Sequence, residues 1–342
     1  MNKNNNGEII QAMPKIELHL HLEGAFPLES LLRLIQKYGS NEVHNIEELR
    51  QKFVFTDFAH FIETWYWKSD FYREPSDIED MAYSTIASLS LQNIIYAEVY
   101  FSPFDFIKPQ MPFPVVTEAV ISGVRRAESE YPIRIGLIAD IVRNHGHETA
   151  LARLDKITQY QNEVLGIGLG GSEKEFPAKL FAEVYAEAQK RGFRLVAHAG
   201  EADGPNSIWD ALRLPHAERI GHGVRAVEDP DLMEYLRLNQ IPLEVCVTSN
   251  LKTKIFNSAA EHPVRRLFDY GLLITINSDD PTMFGSNLTD EFNFIANEYN
   301  FTLPEIKKLT QNAIQASFAE DSFKQQLTLK NNEYWNSIGV KE

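Results

Sequence analysis

The segment KIELHLHLEG, residues 15–24, sets two histidines one residue apart within an aliphatic run and brackets them with glutamates. In a β-strand, side chains alternate between faces with period two. Glu17, His19, His21 and Glu23 then share one face, while Ile16, Leu18, Leu20 and Leu22 share the other. A wholly polar row beside a wholly aliphatic row is not the pattern of an ordinary core strand. It describes a strand that packs helices on one side and turns a site toward the other.

Working outward, short β-rich runs recur between helical patterns. After residues 15–22 come NIIYAEVYF (93–101), IRIGLIADIV (133–142), VLGIGLGG (164–171), RLVAHAG (194–200), RIGHG (219–223), PLEVCVTSN (242–250) and LLITINSDD (272–280). In the stretch between the fourth and fifth, Phe181, Val184, Tyr185 and Ala188 fall at helical spacing, with Pro177 suited to the start and Gly192 to the stop. Eight strands, each followed by a helix, predict an α/β fold of the (β/α)8 TIM-barrel type. No glycine-rich dinucleotide fingerprint follows the first strand. One connection is too long: about seventy residues separate the first two strands, against roughly thirty for a simple βαβ unit. That insert is rich in aromatics, Phe61, Trp65 and Trp67 among them, and predicts extra helices forming a lid or pocket wall. The expected division is one hydrolase domain over 10–325, a polar tail over 1–9 and an extension over 326–342.

Composition sets the outer limits. The chain has 342 residues, 44% of them hydrophobic and 24% charged, with a formal net charge of −15. An acidic surface disfavours a nucleic-acid backbone as partner. No apolar run reaches spanning length, so no membrane partner is expected. The single cysteine, Cys246, excludes an intrachain disulfide and a cysteine-based zinc site, and fits a reducing, cytoplasmic setting.

Catalytic groups of such barrels sit at the C-terminal ends of strands. Read in order, those ends carry His19 and His21, then His198 and Glu201 in HAGE, His222 in GHG, and Asp279 with Asp280 in NSDDP. Three imidazoles and a carboxylate around an open position suit one divalent ion such as Zn²⁺. Such an ion makes a nucleophile from water near neutral pH. Glu201 would stand at the site wall as a proton donor.

With PKIELHLHLEG, HAGE, RIGHG and NSDDP, in that order and spacing, the chain resembles the adenosine/adenine deaminases of the amidohydrolase superfamily, from about Pro14 to Phe318. The resemblance implies His19, His21, His198 and Asp279 as ligands of one Zn²⁺ per chain. It also implies Glu201 as the acid at purine N1, His222 as the group orienting the zinc-bound hydroxide, and Asp280 as the partner of N7. Glu23 would face the sugar and Gly171 the purine ring, with Phe61 and Trp65 from the insert beside the substrate. The implied reaction is hydrolytic deamination of a small 6-aminopurine nucleoside, adenosine to inosine plus ammonia. Deaminases of 6-aminodeoxyfutalosine or of adenine are the alternatives within this class, and a catalytically inactive nucleoside-binding barrel is the alternative outside it. Oligomeric state is left open.

Three departures from the family pattern bear on substrate. GLGGSE (168–173) stands where DLAGDE is common, Tyr100 where arginine is usual, and Gly221 where adenine-specific members tend to carry aspartate. As sequence, they lean away from free adenine.

Overall fold

The computed structural model describes residues 3–213 and 215–340. Eight strands follow one another around a single sheet: β1 (Lys15–His21), β2 (Ile94–Phe101), β3 (Arg134–Asp140), β4 (Val164–Gly168), β5 (Arg194–Ala199), β6 (Arg219–His222), β7 (Leu243–Val245) and β8 (Ile274–Ile276). Every neighbouring pair is parallel. The ring closes at the functional rim. Leu20 bridges Asp279 in parallel, the His21 amide donates to the Asp279 carbonyl, and the Asp279 amide donates to the His19 carbonyl, both at 2.9 Å. The (β/α)8 expectation therefore holds, and the seam of the barrel runs through the residues expected to act.

Strands β7 and β8 are shorter than their sequence patterns. The β-branched run in residues 242–250 reads as strand by propensity, yet pairing ends at Val245 opposite Ile276, and Val247–Lys252 turns into helix. Beyond that point no neighbouring strand remains to satisfy an extended backbone, so local propensity is overridden.

The long insert forms helices Leu28–Lys37, Ile46–Lys52, Phe58–Ser69 and Pro75–Ser90. Asp57 caps the third of these by accepting the His60 amide at 2.9 Å. Along it Phe61, Thr64, Trp65 and Lys68 are buried at spacings of three and four, one stripe laid over the barrel mouth. Burial of each large aromatic contributes about 1.5–3 kcal/mol to holding that helix down. Trp67 points elsewhere: its Nε1 donates to Glu42 at 3.0 Å, on an exposed surface.

The ends depart from expectation. Residues 3–9 of the expected polar tail (1–9) belong to helix Lys3–Ala12, which runs on into the expected domain, where Ile10 and Met13 are fully buried. Residues 326–337 of the expected extension (326–342) lie in helix Asp321–Ser337, whose Leu327, Asn331 and Trp335 are buried at spacings of four. In both cases a few apolar residues at helical period are enough to dock a segment that looks hydrophilic in average composition. No described helix is long and apolar enough to cross a membrane.

Candidate active site

His19 and His21 point inward from β1, His198 from β5 and His222 from β6, with Asp279 and Asp280 just past β8. His21 Nε2 and His198 Nε2 lie 3.1 Å apart, and Asp279 Oδ1 is 3.5 Å from the Nε2 atoms of both His19 and His21. Two of these residues hold unusual backbone. His222 and Asp279 have φ of 60° and 62°, left-handed values that cost non-glycine residues about 1–2 kcal/mol each. The seam hydrogen bonds that close β8 onto β1 hold Asp279 in this conformation.

The chemistry of the donors fits a cation. His19 Nδ1 lies 2.7 Å from Glu244 Oε2, so the ring donates there and leaves Nε2 as a lone pair. That Nε2 is buried without a hydrogen-bond partner. A carboxylate behind an imidazole whose other nitrogen is free is the arrangement that orients a metal-binding histidine. Burial opposes charge on His19, yet the carboxylates of Asp279 and Glu244 on either side of the ring raise its pKa, so the space beside Nε2 favours a cation, whether a proton or a metal ion. Burial likewise opposes charge on His21, and Asp140 carries it up to about 9. The cluster thus asks for positive charge, and His19, His21, His198 and Asp279 can supply it by sharing one divalent ion. Cys246 also lies near His19, His222 and Asp279. Burial pushes its thiol well up, and its Sγ donates to the Glu244 carbonyl at 3.4 Å. It is a neutral packing neighbour.

Glu201, the residue expected to act as the acid, lies against this cluster. Burial first, then the charges of Asp279 and Glu173, raise its carboxyl well above the usual range, which favours its protonated form. Its loop is gripped by Glu173. Oε1 of that side chain accepts the Gly200 amide at 2.5 Å and the Ser207 hydroxyl, while Oε2 accepts the amides of Glu201, Ala202 and Asp203 at 3.2, 2.8 and 3.0 Å. One buried carboxylate therefore fixes the backbone that carries the acid. Asp280 is raised to about 7 by burial and by Asp279, and its Oδ1 has no partner. Gly24 makes room for it, since a Cβ there would lie 1.6 Å from Asp280 Oδ1.

These groups line one concave pocket at the mouth of the barrel. His21, His198, Glu201, His222, Asp279 and Asp280 form its floor, Gly171 a wall, and Phe61 and Trp65 part of the roof with Phe284. Phe61 stacks on Phe284 with centroids 5.3 Å apart. Of the residues expected to touch substrate, Glu23 is not on the wall: its Oε1 accepts the Ser102 amide at 2.8 Å.

The departures have structural reasons. A Cβ on Gly168 would lie 2.2 Å from Asp140 Oδ1, so an acid on β3 occupies the space a β4 aspartate would need. Tyr100 donates to Glu244 at 2.9 Å, and Arg219 on β6 donates to the same carboxylate at 2.6 Å. Gly221 faces His19, whose Cε1 would lie 2.8 Å from an added Cβ. Its identity answers to a ring behind the cavity rather than to the base within it. Glu244, Asp140 and Asn250 escaped the sequence reading because each is one acid or amide in an ordinary strand or loop, and Glu173 was seen only as the end of GLGGSE, with no role. Only the period-two spacing of Glu244 with Cys246, on a strand facing the site, hinted at one of them.

The adenosine deaminase family profile matches residues 14–333 of this chain. The chain belongs to the adenosine deaminase family. Members of this family are metal-dependent hydrolytic deaminases, and so is this protein. Among relatives, an adenine deaminase of Crocosphaera subtropica is 34% identical over 94% of this chain and 99% of its own length. The crystal structure of an adenine deaminase from Arthrobacter aurescens superposes with a TM-score of 0.91 at 32% identity, covering 95% of this chain and all of that one. A Burkholderia ambifaria amidohydrolase with bound Zn superposes with a TM-score of 0.88 at 25% identity, covering 98% and 95%.

Proposed function

We propose that this family member hydrolyses free adenine to hypoxanthine and ammonia with one Zn²⁺ held by His19, His21, His198 and Asp279. This reverses the expectation of adenosine as substrate. The observation that carries it is Glu23, the group expected to meet a sugar: it does not line the cavity, and its Oε1 is engaged by the Ser102 amide. Where a ribose would extend, the roof presents Phe58, Phe61, Trp65 and Phe284. Among the described residues no lysine or arginine lines the cavity, which disfavours a 5′-phosphate. The 34% and 32% identities to proteins named adenine deaminase support the same reading.

When bound, the divalent ion supplies a water-derived nucleophile at neutral pH. The chain supplies the rest. Attack at C6 breaks the aromaticity of the ring and loads charge onto its nitrogens, so Glu201, already protonated, donates to N1 as that charge develops. Asp280 meets N7, sharing a proton because burial and Asp279 leave it titrating near 7. Gly171 leaves room for the edge of the base with φ of 97°, a conformation that glycine adopts without strain. His222 faces the side from which water attacks.

The test is turnover measured side by side on adenine, adenosine, deoxyadenosine, AMP and 6-aminodeoxyfutalosine. Adenine should lead in kcat/KM by at least about 100-fold, the discrimination expected when a closed roof rejects a whole sugar. An adenosine value equal to or above that of adenine would overturn the assignment.

A further inference from the structure

We propose that His262 and Asn250, neither of which lines the base side of the site, fix the tautomer of His222 so that its ring meets the attacking water as a hydrogen-bond donor. The inference rests on the deaminase reading of the site and adds two positioning residues to it.

The logic starts at a backbone amide, which can only donate. The Val264 amide lies 3.2 Å from His262 Nδ1, so that nitrogen carries the lone pair. His262 is buried, and burial holds it neutral with a pKa pushed down to about 3. Its proton therefore sits on Nε2, 3.2 Å from Asn250 Oδ1. Reversing the Asn250 amide would set N–H against N–H there, in a place closed to water, since Asn250 is fully buried. The orientation of Asn250 is thus decided from outside the site. Its nitrogen faces inward, 3.2 Å from His222 Nδ1 and 3.5 Å from Glu201 Oε1. An amide nitrogen cannot accept, so His222 Nδ1 must, and the neutral His222 ring carries its proton on Nε2.

That Nε2–H points between Glu201 Oε2 at 3.6 Å and Asp279 Oδ2 at 3.8 Å, the gap an attacking oxygen has to enter. A protonated Nε2 can hold that oxygen by donating to it and cannot take a proton from it. The other tautomer would aim a lone pair at Asp279 Oδ2 and set Nδ1–H against the Asn250 NH₂ group. His222 is consequently an orienting donor, and its neighbours outside the cavity make it so.

The decisive measurement is a long-range ¹H–¹⁵N correlation spectrum of the zinc-loaded protein labelled at histidine, with His222 assigned by comparison with His222→Asn. A pyrrole-type Nε2 and a pyridine-type Nδ1 are expected for His222. Asn250→Asp offers acceptor oxygens to both rings, so it should invert the His222 tautomer and lower kcat on the order of 10³-fold, with KM changed less than about threefold. His262→Leu frees the amide to turn over and should lower kcat on the order of tenfold, whereas His262→Gln, which keeps a donor toward Asn250, should restore most of it. A wild-type His222 protonated on Nδ1 would overturn the proposal, as would an Asn250→Asp protein with unchanged tautomer and kcat. The wild-type spectrum decides even if a variant does not fold. It is also read without turnover: an inactive protein with the expected spectrum supports the relay while removing the deaminase reading.

Discussion

Replacing Glu173 by glutamine keeps the shape of the side chain and removes its charge. The carboxamide oxygen can still accept from the Gly200 amide and the Ser207 hydroxyl, but its NH₂ group then faces the three amides now gathered by Oε2. Hydrogen bonds to a charged acceptor contribute about 1.5–3 kcal/mol each. Ala202 and Asp203 are half-buried and can recover water, whereas Glu201 is buried and its amide cannot. The net loss of stability is therefore about 3 kcal/mol rather than the sum over all partners. The larger effect falls on chemistry. Donor–donor repulsion pushes the 200–204 loop outward and carries Glu201 with it, and a misplacement near 1 Å costs on the order of 10²-fold in rate. Urea unfolding and steady-state ammonia release on Glu173→Gln measure the two effects, with zinc content checked in parallel because His198 lies on the strand before the loop. A variant with an unchanged urea midpoint and kcat within about threefold of wild type would refute the reasoning.

Three further outcomes follow from the same geometry. Glu201→Gln should keep its zinc and its KM but lose about 10²- to 10⁴-fold in kcat, read by ammonia release and metal analysis. Glu244→Gln removes the acceptor of His19 Nδ1 and should weaken zinc binding about 10- to 100-fold in a competition titration with a chelator. Burial raises Glu291 to about 7, from 4.5, against hydrogen bonds from Ser286 and Thr248. Folded protein then holds a proton that unfolded chain releases, so this stabilising contribution is full below pH 4.5 and is lost as pH rises through 7. Relative to Glu291→Gln, wild-type stability in urea melts should fall across that window by at most about 3 kcal/mol, and a pH-independent difference would exclude the shift.

Much of the fold was legible because periodicity carries it. The period-two row of Glu17, His19, His21 and Glu23 marked the first strand, and each later motif named a strand end. The barrel rim then followed from topology alone. What stayed hidden needed contacts between distant residues. Tyr100 and Gly221 looked like substrate signals in sequence, and the structure shows both serving the His19–Glu244 pair. Glu173 looked like the remnant of a motif that had lost its other acids, yet its partners lie 27 or more residues ahead in sequence. His262, one histidine in a loop, offered no pattern at all. Glu23 shows the converse: the period-two row put it on the strand with His21, but β1 ends at His21, and the Ser102 amide that engages Glu23 comes from beyond β2.

Everything proposed for the reaction depends on one ion shared by four residues. Calorimetric titration of chelator-stripped protein with Zn²⁺ tests this most directly. One equivalent should bind tightly and restore ammonia release in proportion, and His19→Ala should weaken that binding at least about 100-fold. Two tight equivalents, or an affinity unmoved by the loss of His19, would contradict it.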